Sequence, residues 1–324
     1  MQWFLDQTAD VELLTLPCEP QPHGLIDWLQ RLATVPALQP AQPATSATYG
    51  GLPTYTLAPQ HRLQPYHVAP NRAEDTAVAM AARPRLRTAR ELPPHQVPIS
   101  HPLDLAYFCF GAQPPALTHL PVFREAVVAE VLDIHRQFSD EIVFQLETTA
   151  VLALYDRTPR RLWHALSFGL AQQTAQLIAA TPPHAQWIIH LCHGDLGPQP
   201  LVTPSDLVAP VIFLNAMHRK LTKLGYPMPL AHIPLYTRTT GPSTDAHFYR
   251  ALPHLRTGIS VIAGVADEHN PADSHTALRL TEQALDAPVT AIAAACGHGR
   301  RTPEAAAVNT ELARALTRAH PGHD

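Results

Sequence analysis

No stretch of this 324-residue chain approaches the ~18 uninterrupted apolar residues of a membrane-spanning helix, and residues 1–10 lack the basic start and apolar run of a secretory leader. A cytoplasmic protein is expected. Charge is scarce too, with 15% charged side chains and a net charge of −4. That balance offers no basic face of the kind nucleic acid or an anionic membrane recognises, so neither is an expected partner. Cysteine is rarer still. The four residues Cys18, Cys109, Cys192 and Cys296 lie far apart, a usage that fits reduced thiols or metal ligands and not a disulfide framework. The sequence has no internal repeat, and its only extended compositional bias is a proline-rich stretch.

Proline and histidine are what the chain has in quantity, at 34 and 20 residues. So many prolines imply rigid loops. Seven of them fall between Pro36 and Pro70, where Gly50-Gly51 offers a turn between short strands. Residues 33–94 therefore read as an insertion, a hairpin with an extended arm or a lid, within a single domain spanning 1–324. Four arginines crowd the run Arg83-Pro84-Arg85-Leu86-Arg87-Thr88-Ala89-Arg90. They could clamp a phosphate or a polyglutamate tail, although a solvated connection is the plainer reading.

Short β-rich runs bounded by turn residues occur at 11–16, 97–100, 141–147, 186–192, 211–215, 229–235, 259–266 and 289–296. Several are apolar almost throughout, as strands covered on both faces of a parallel sheet are. Helical periodicity marks 121–137, 160–180, 216–224, 274–285 and 302–319, with Pro204 and Pro210 as breaks before the fifth strand. Eight alternating β/α units in a chain of this length predict a (β/α)8 TIM barrel, with the insertion following its first unit.

In such a barrel the functional groups stand where the strands end. His190-Leu191-Cys192 closes the fourth predicted strand, and alternation sends residues i and i+2 to one face. Imidazole nitrogen and thiolate sulfur are both zinc ligands, at roughly 2.0–2.1 and 2.3 Å. Cys296, at the end of the last strand, adds a second sulfur across the mouth. His190, Cys192 and Cys296 are thus the expected ligands of a zinc ion (Zn2+). Cys109, in the apolar run Tyr107 to Phe110, reads as a small core residue. A free thiol of pKa ~8.5 is mostly protonated at neutral pH, and coordination to zinc deprotonates it while holding it in place. The expected chemistry is nucleophilic attack by a thiolate.

With these residues placed, the sequence resembles the catalytic C-terminal barrel of cobalamin-independent methionine synthase, in the wider group that includes uroporphyrinogen decarboxylase. The likeness is patchy but collinear along nearly the whole chain. Ile189-His190-Leu191-Cys192 resembles that family's His-x-Cys strand end, and Cys296-Gly297 with Arg300 or Arg301 resembles its closing Cys-Gly-x-x-x-Arg stretch. Gly264-Val265-Ala266-Asp267-Glu268-His269-Asn270-Pro271 looks like the family's Gly-Val-x-Asp-x-His-Ser-Pro, which makes His269 the general-acid candidate and places Asp267 at the substrate. Phe144-Gln145-Leu146-Glu147 resembles a Gln-x-Asp-Glu strand end, so Glu147 is expected to hold the amino group of the substrate and serve in catalysis. Thr15 to Gln21 resembles a degraded Gly-Ser-Phe-Pro-Gln, bringing Cys18 to the mouth, and Phe108 stands where the family stacks a pterin.

The departures are also informative. The family's fourth zinc ligand is a glutamate, and the aligned position here is Asn215, a poor ligand. His218, His193, Cys18 or solvent could complete the shell instead. The resemblance implies a zinc-dependent methyl or alkyl transfer to a small thiol such as homocysteine. The donor would be a methylfolate, a corrinoid protein or another activated alkyl group. A decarboxylase-like lyase and a zinc-binding barrel without catalysis are the competing readings.

Overall fold

The computed structural model describes residues 1–20, 24–46, 51–111, 114–195 and 199–319. In chain order the strands are β1 (Leu16–Pro17), β2 (Leu38–Gln42), β3 (Thr54–Leu57), β4 (His95–Ser100), β5 (Ile142–Glu147), β6 (Trp187–His190), β7 (Leu230–Pro234), β8 (Val261–Gly264) and β9 (Ala291–Ala293). The helices are α1 (Gln2–Gln7), α2 (Gly24–Leu32), α3 (Arg72–Ala82), α4 (Pro102–Phe110), α5 (Pro114–Phe138), α6 (Thr149–Asp156), α7 (Trp163–Ala179), α8 (Val208–Leu224), α9 (Ala246–Tyr249), α10 (Pro271–Leu285) and α11 (Pro303–Arg318). None of the described helices is long and apolar enough to cross a membrane.

Seven strands form one curled parallel sheet in the order β1-β4-β5-β6-β7-β8-β9, with helices between successive members. The architecture is α/β and TIM-barrel-like, with β1 and β9 at the two edges of the described sheet. Period-2 alternation sorts the strand residues onto two faces. Phe144, Leu146, Ile189, Ala231, Ile233 and Ala263 join the main core, which they share with helical residues such as Phe123, Leu177 and Phe213. Val143, Ile188 and Ile262 form a separate small cluster on the opposite, inner face, with Leu230, Ala291 and Ala293 packed against it. Two residues further along, that inner face carries Gln145, His190 and Gly264.

The fifth expected strand is a correction. Residues 211–215 belong to α8, whose buried Phe213, Leu214, Met217 and Leu221 recur at helical spacing. An apolar run of five residues satisfies a buried helix as well as a buried strand. Pro210 does not break the chain here, because it sits in the helix's first turn, where no N–H partner is lost. Gly225, with φ 75°, ends the helix in the left-handed conformation that glycine adopts most readily. The first strand is also shorter than expected, reduced to Leu16–Pro17.

Within 33–94 the chain forms an antiparallel hairpin of β2 and β3, followed by α3. Gly50 of the expected turn lies outside the described residues. The arginine run is partly built into the body. Arg83 is buried and donates to the Pro93 carbonyl, and Arg90 donates to Val11 and Thr8, while Arg85 and Arg87 remain exposed.

Candidate metal centre

Register brings the polar residues into one row. Ser100 of β4 pairs with Glu147 of β5, Glu147 with His190 of β6, and His190 with His232 of β7. All lie at or near the carboxyl ends of their strands. Just past β6 the chain turns at Gly194, where φ is 77°, and the Gly194 N–H donates to the Cys192 sulfur at 3.3 Å. Cys192 is thereby held beside His190, two residues back on the same face.

Cys296 follows β9, and its turn is clamped from the side. Arg301 donates through Nη1 to the carbonyls of Cys296 (3.2 Å) and Gly297 (3.3 Å), and through Nη2 to the Tyr236 hydroxyl at 3.1 Å. Its Nε donates to Glu268 at 2.7 Å, and Asn309 donates to the other Glu268 oxygen at 2.7 Å. Burial acts to raise Glu268, but the Arg301 guanidinium outweighs it and holds the carboxyl below its ordinary value. The side chain of Arg300 lies outside the described residues.

The outcome is a cluster of His190, Cys192 and Cys296, each offering one donor atom within 4.8 Å of the others. One imidazole nitrogen and two sulfurs form a soft donor set suited to zinc. The electrostatics agree with a cation at this place. Burial acts to lower His190, yet Glu147, the Cys296 sulfur and Asp195 together lift it above its ordinary value. The Cys296–Cys192 hydrogen bond lowers Cys192 and, with burial, raises Cys296, so the two sulfurs titrate as a coupled pair.

Glu147 borders the cluster. Its Oε1 accepts from Gln145 at 2.7 Å, and its Oε2 lies 3.8 Å from His190 Nε2. Glu19, one residue past the half-buried Cys18, is raised chiefly by burial, with Glu147 adding to the effect; Arg72 donates to it at 2.8 Å. Glu19 lies in the opening motif, between Cys18 and Pro20, but its residue type alone did not mark it as a site residue.

The other expected site residues are not members of this cluster. His269 is on the loop after β8 with a largely exposed side chain, its Nε2 3.9 Å from Glu268. The Asp267 carboxylate is buried and engaged by its own loop, accepting from the His269 N–H and the Asn270 amide. Phe108 packs in the main core. Cys109 is buried there too, and burial pushes its thiol far up. His193 meets the Tyr236 carbonyl at 3.2 Å through Nδ1, and burial holds it down at about 4.

Two of the candidates for a fourth ligand, Asn215 and His218, are corrected. Asn215 sits on α8, where its amide donates to the His254 carbonyl and accepts from the Arg256 N–H. His218, one turn further along, lies against Gly258. Those partners precede β8 and so flank the amino end of the strand, away from the cluster. The error follows directly from reading the start of α8 as a strand.

His232 is a second site residue that sequence reasoning missed. It is buried on β7, its Nδ1 lies 2.9 Å from His190 Nδ1, and its Nε2 lies 3.0 Å from the Ala294 carbonyl oxygen. Burial, reinforced by His190, keeps its pKa well below the ordinary value, so the ring is neutral. The available signal was a lone histidine in the apolar strand Ala231-His232-Ile233.

Fold and site together define a class: an α/β protein with a helix-covered parallel sheet and a His/Cys/Cys donor set where the strands end. Among solved structures of similar fold is a B12-independent methionine synthase from Shewanella sp. W3-18-1, in complex with selenomethionine. It is 12% identical, with a TM-score of 0.56 over 88% of this chain and 76% of that one. At that identity the likeness is one of architecture. No family model matches the sequence, and no curated protein matches it.

Proposed function

We propose that this chain is a zinc-dependent S-alkyltransferase, most simply a methyltransferase, acting on a small thiol such as homocysteine. The observation that carries the reading is the convergence of His190, Cys192 and Cys296 within 4.8 Å at the strand ends. These three residues would hold the ion. Zinc, when bound, supplies the Lewis acidity that keeps a substrate sulfur ionised near neutral pH. Three protein donors leave a position open for that sulfur, as catalytic sites do and closed structural sites do not.

Glu147 stands at the edge of this position and takes the proton of the arriving thiol, with Gln145 fixing the carboxylate from the other side. His269 protonates the leaving atom of the donor once the loop after β8 closes on it. Glu19 and Arg72 line the same mouth and meet the polar groups of the thiol substrate. The donor is a methylfolate or a corrinoid protein. A cytoplasmic setting belongs to this reading, since a reducing thiol pool keeps Cys192 and Cys296 available as ligands.

Metal analysis combined with X-ray absorption at the zinc edge tests the proposal. The expected result is one equivalent of zinc, lost in C192S and C296S, with a sulfur count that rises from two to three when a substrate thiol is added. An active protein without zinc would instead support a lyase. Tight zinc whose sulfur count ignores every thiol would support a non-catalytic centre.

A further inference from the structure

We propose that His232 is a positioning residue for the metal centre: it aims the His190 Nε2 lone pair at the ion and braces β6 against the strand end that carries Cys296. The inference rests on the zinc reading above and adds to it a residue that donates no ligand atom.

The hydrogen-bond chain has one polarity that leaves His190 a nitrogen free for a metal. The Ala294 carbonyl can only accept, so His232 Nε2, 3.0 Å away, carries the hydrogen. A neutral imidazole has a single N–H, which leaves His232 Nδ1 as an acceptor. His190 Nδ1, at 2.9 Å, must then donate to it. In the neutral ring that a metal ligand must be, the lone pair left on His190 is at Nε2, the atom on the Glu147 side of the ring. An imidazole ligand needs that state, with one nitrogen free for the metal and the other N–H anchored.

The position of the ring is built into the sheet. To reach from β7 past β8 to the chain after β9, the His232 ring crosses in front of Gly264. A Cβ at Gly264 would stand 2.8 Å from His232 Nε2, 2.9 Å from Pro234 Cα and 3.0 Å from the Ile233 carbonyl oxygen, so any other residue there would crowd the ring and β7 together. The far end of the bridge, Ala294, lies two residues before Cys296. One buried side chain therefore ties the strand of the nitrogen ligand to that of a sulfur ligand. A histidine that merely filled the core would not need a candidate ligand as its hydrogen-bond partner.

The test combines zinc affinity, read by chelator competition, with the tautomers of the uncomplexed protein, read by long-range 15N NMR. His232→Leu should weaken zinc binding roughly 10–100-fold while circular dichroism shows a folded chain. His232→Gln should recover most of that loss, because its amide oxygen and nitrogen reproduce the acceptor and donor. In the parent protein His232 should be protonated at Nε2 and His190 at Nδ1.

Parent-like affinity in a folded His232→Leu variant, or a proton on His232 Nδ1, overturns the proposal. If the parent protein takes up no zinc, the functional reading fails. The tautomers then decide the hydrogen-bond relay by themselves.

Discussion

Glu147 and His190 stand opposite each other in the parallel ladder, with Oε2 and Nε2 3.8 Å apart. That distance is too long for a hydrogen bond and short enough for both groups to face one shared position. Glu147→Gln keeps the size and the contact with Gln145 but removes the base. It should leave one equivalent of zinc in place and lower thiol alkylation by about 10²-fold, the lower end of the effect of a positioned base. Metal analysis and initial rates on the same preparation check both halves.

Removal of the metal should cost stability that the three donors supply. An ion that binds only the native state, free at 100 times its dissociation constant, adds about 2.7 kcal/mol. A chelator should therefore lower the melting temperature of the parent protein and leave that of C296S almost unmoved. C109A is the control. Cys109 is buried in α4, outside the cluster, so its variant should keep the full response to chelator.

Much of the frame was legible because its signals are local. Runs such as Trp187-Ile188-Ile189 and Val261-Ile262-Ala263 are apolar on both faces, and turn residues bound them; the structure has strands at both places. His190, Cys192 and Cys296 followed from residue type and from the rule about strand ends. Residues 211–215 were not legible, because five apolar residues do not reveal their period. His232 was hidden for a different reason. Its role depends on the register between β6 and β7 and on the absence of a side chain at Gly264, and neither can be read from one strand alone.

Asp104 offers a test of how β5 is joined to α6. Its buried carboxylate accepts from the backbone N–H groups of Thr149 (2.7 Å) and Ala150 (3.0 Å), capping α6 from the neighbouring helix α4. Asp104→Ala leaves both donors buried without partners and should destabilise the fold by about 3 kcal/mol. Asp104→Asn keeps one acceptor and should cost less. Chemical denaturation with an unchanged m-value would show that the loss belongs to the native state.

The acid limb of stability should depend on His101. Its Nδ1 accepts from the Leu103 N–H at 3.1 Å, and its Nε2 meets the Thr174 hydroxyl at 3.1 Å, so the neutral ring caps α4 and is satisfied at both nitrogens. Burial holds it at about 4, against 6.5 for an exposed imidazole. A depressed pKa means that the unfolded chain binds the extra proton first. The contribution is therefore whole above pH 6.5, falls as the pH drops towards 4, and at 1.36 kcal/mol per pKa unit reaches about 3 kcal/mol. Asp104 opposes this trend. Burial raises it to about 8, so its native state favours the proton and it loses stability as the pH climbs from 3.8. The informative quantity is thus the difference between the parent and His101→Asn, which keeps a capping oxygen and removes the titration. Urea midpoints measured from pH 7 down to 4.5 should fall less steeply in the variant, and parallel slopes would show that His101 is not the group responsible.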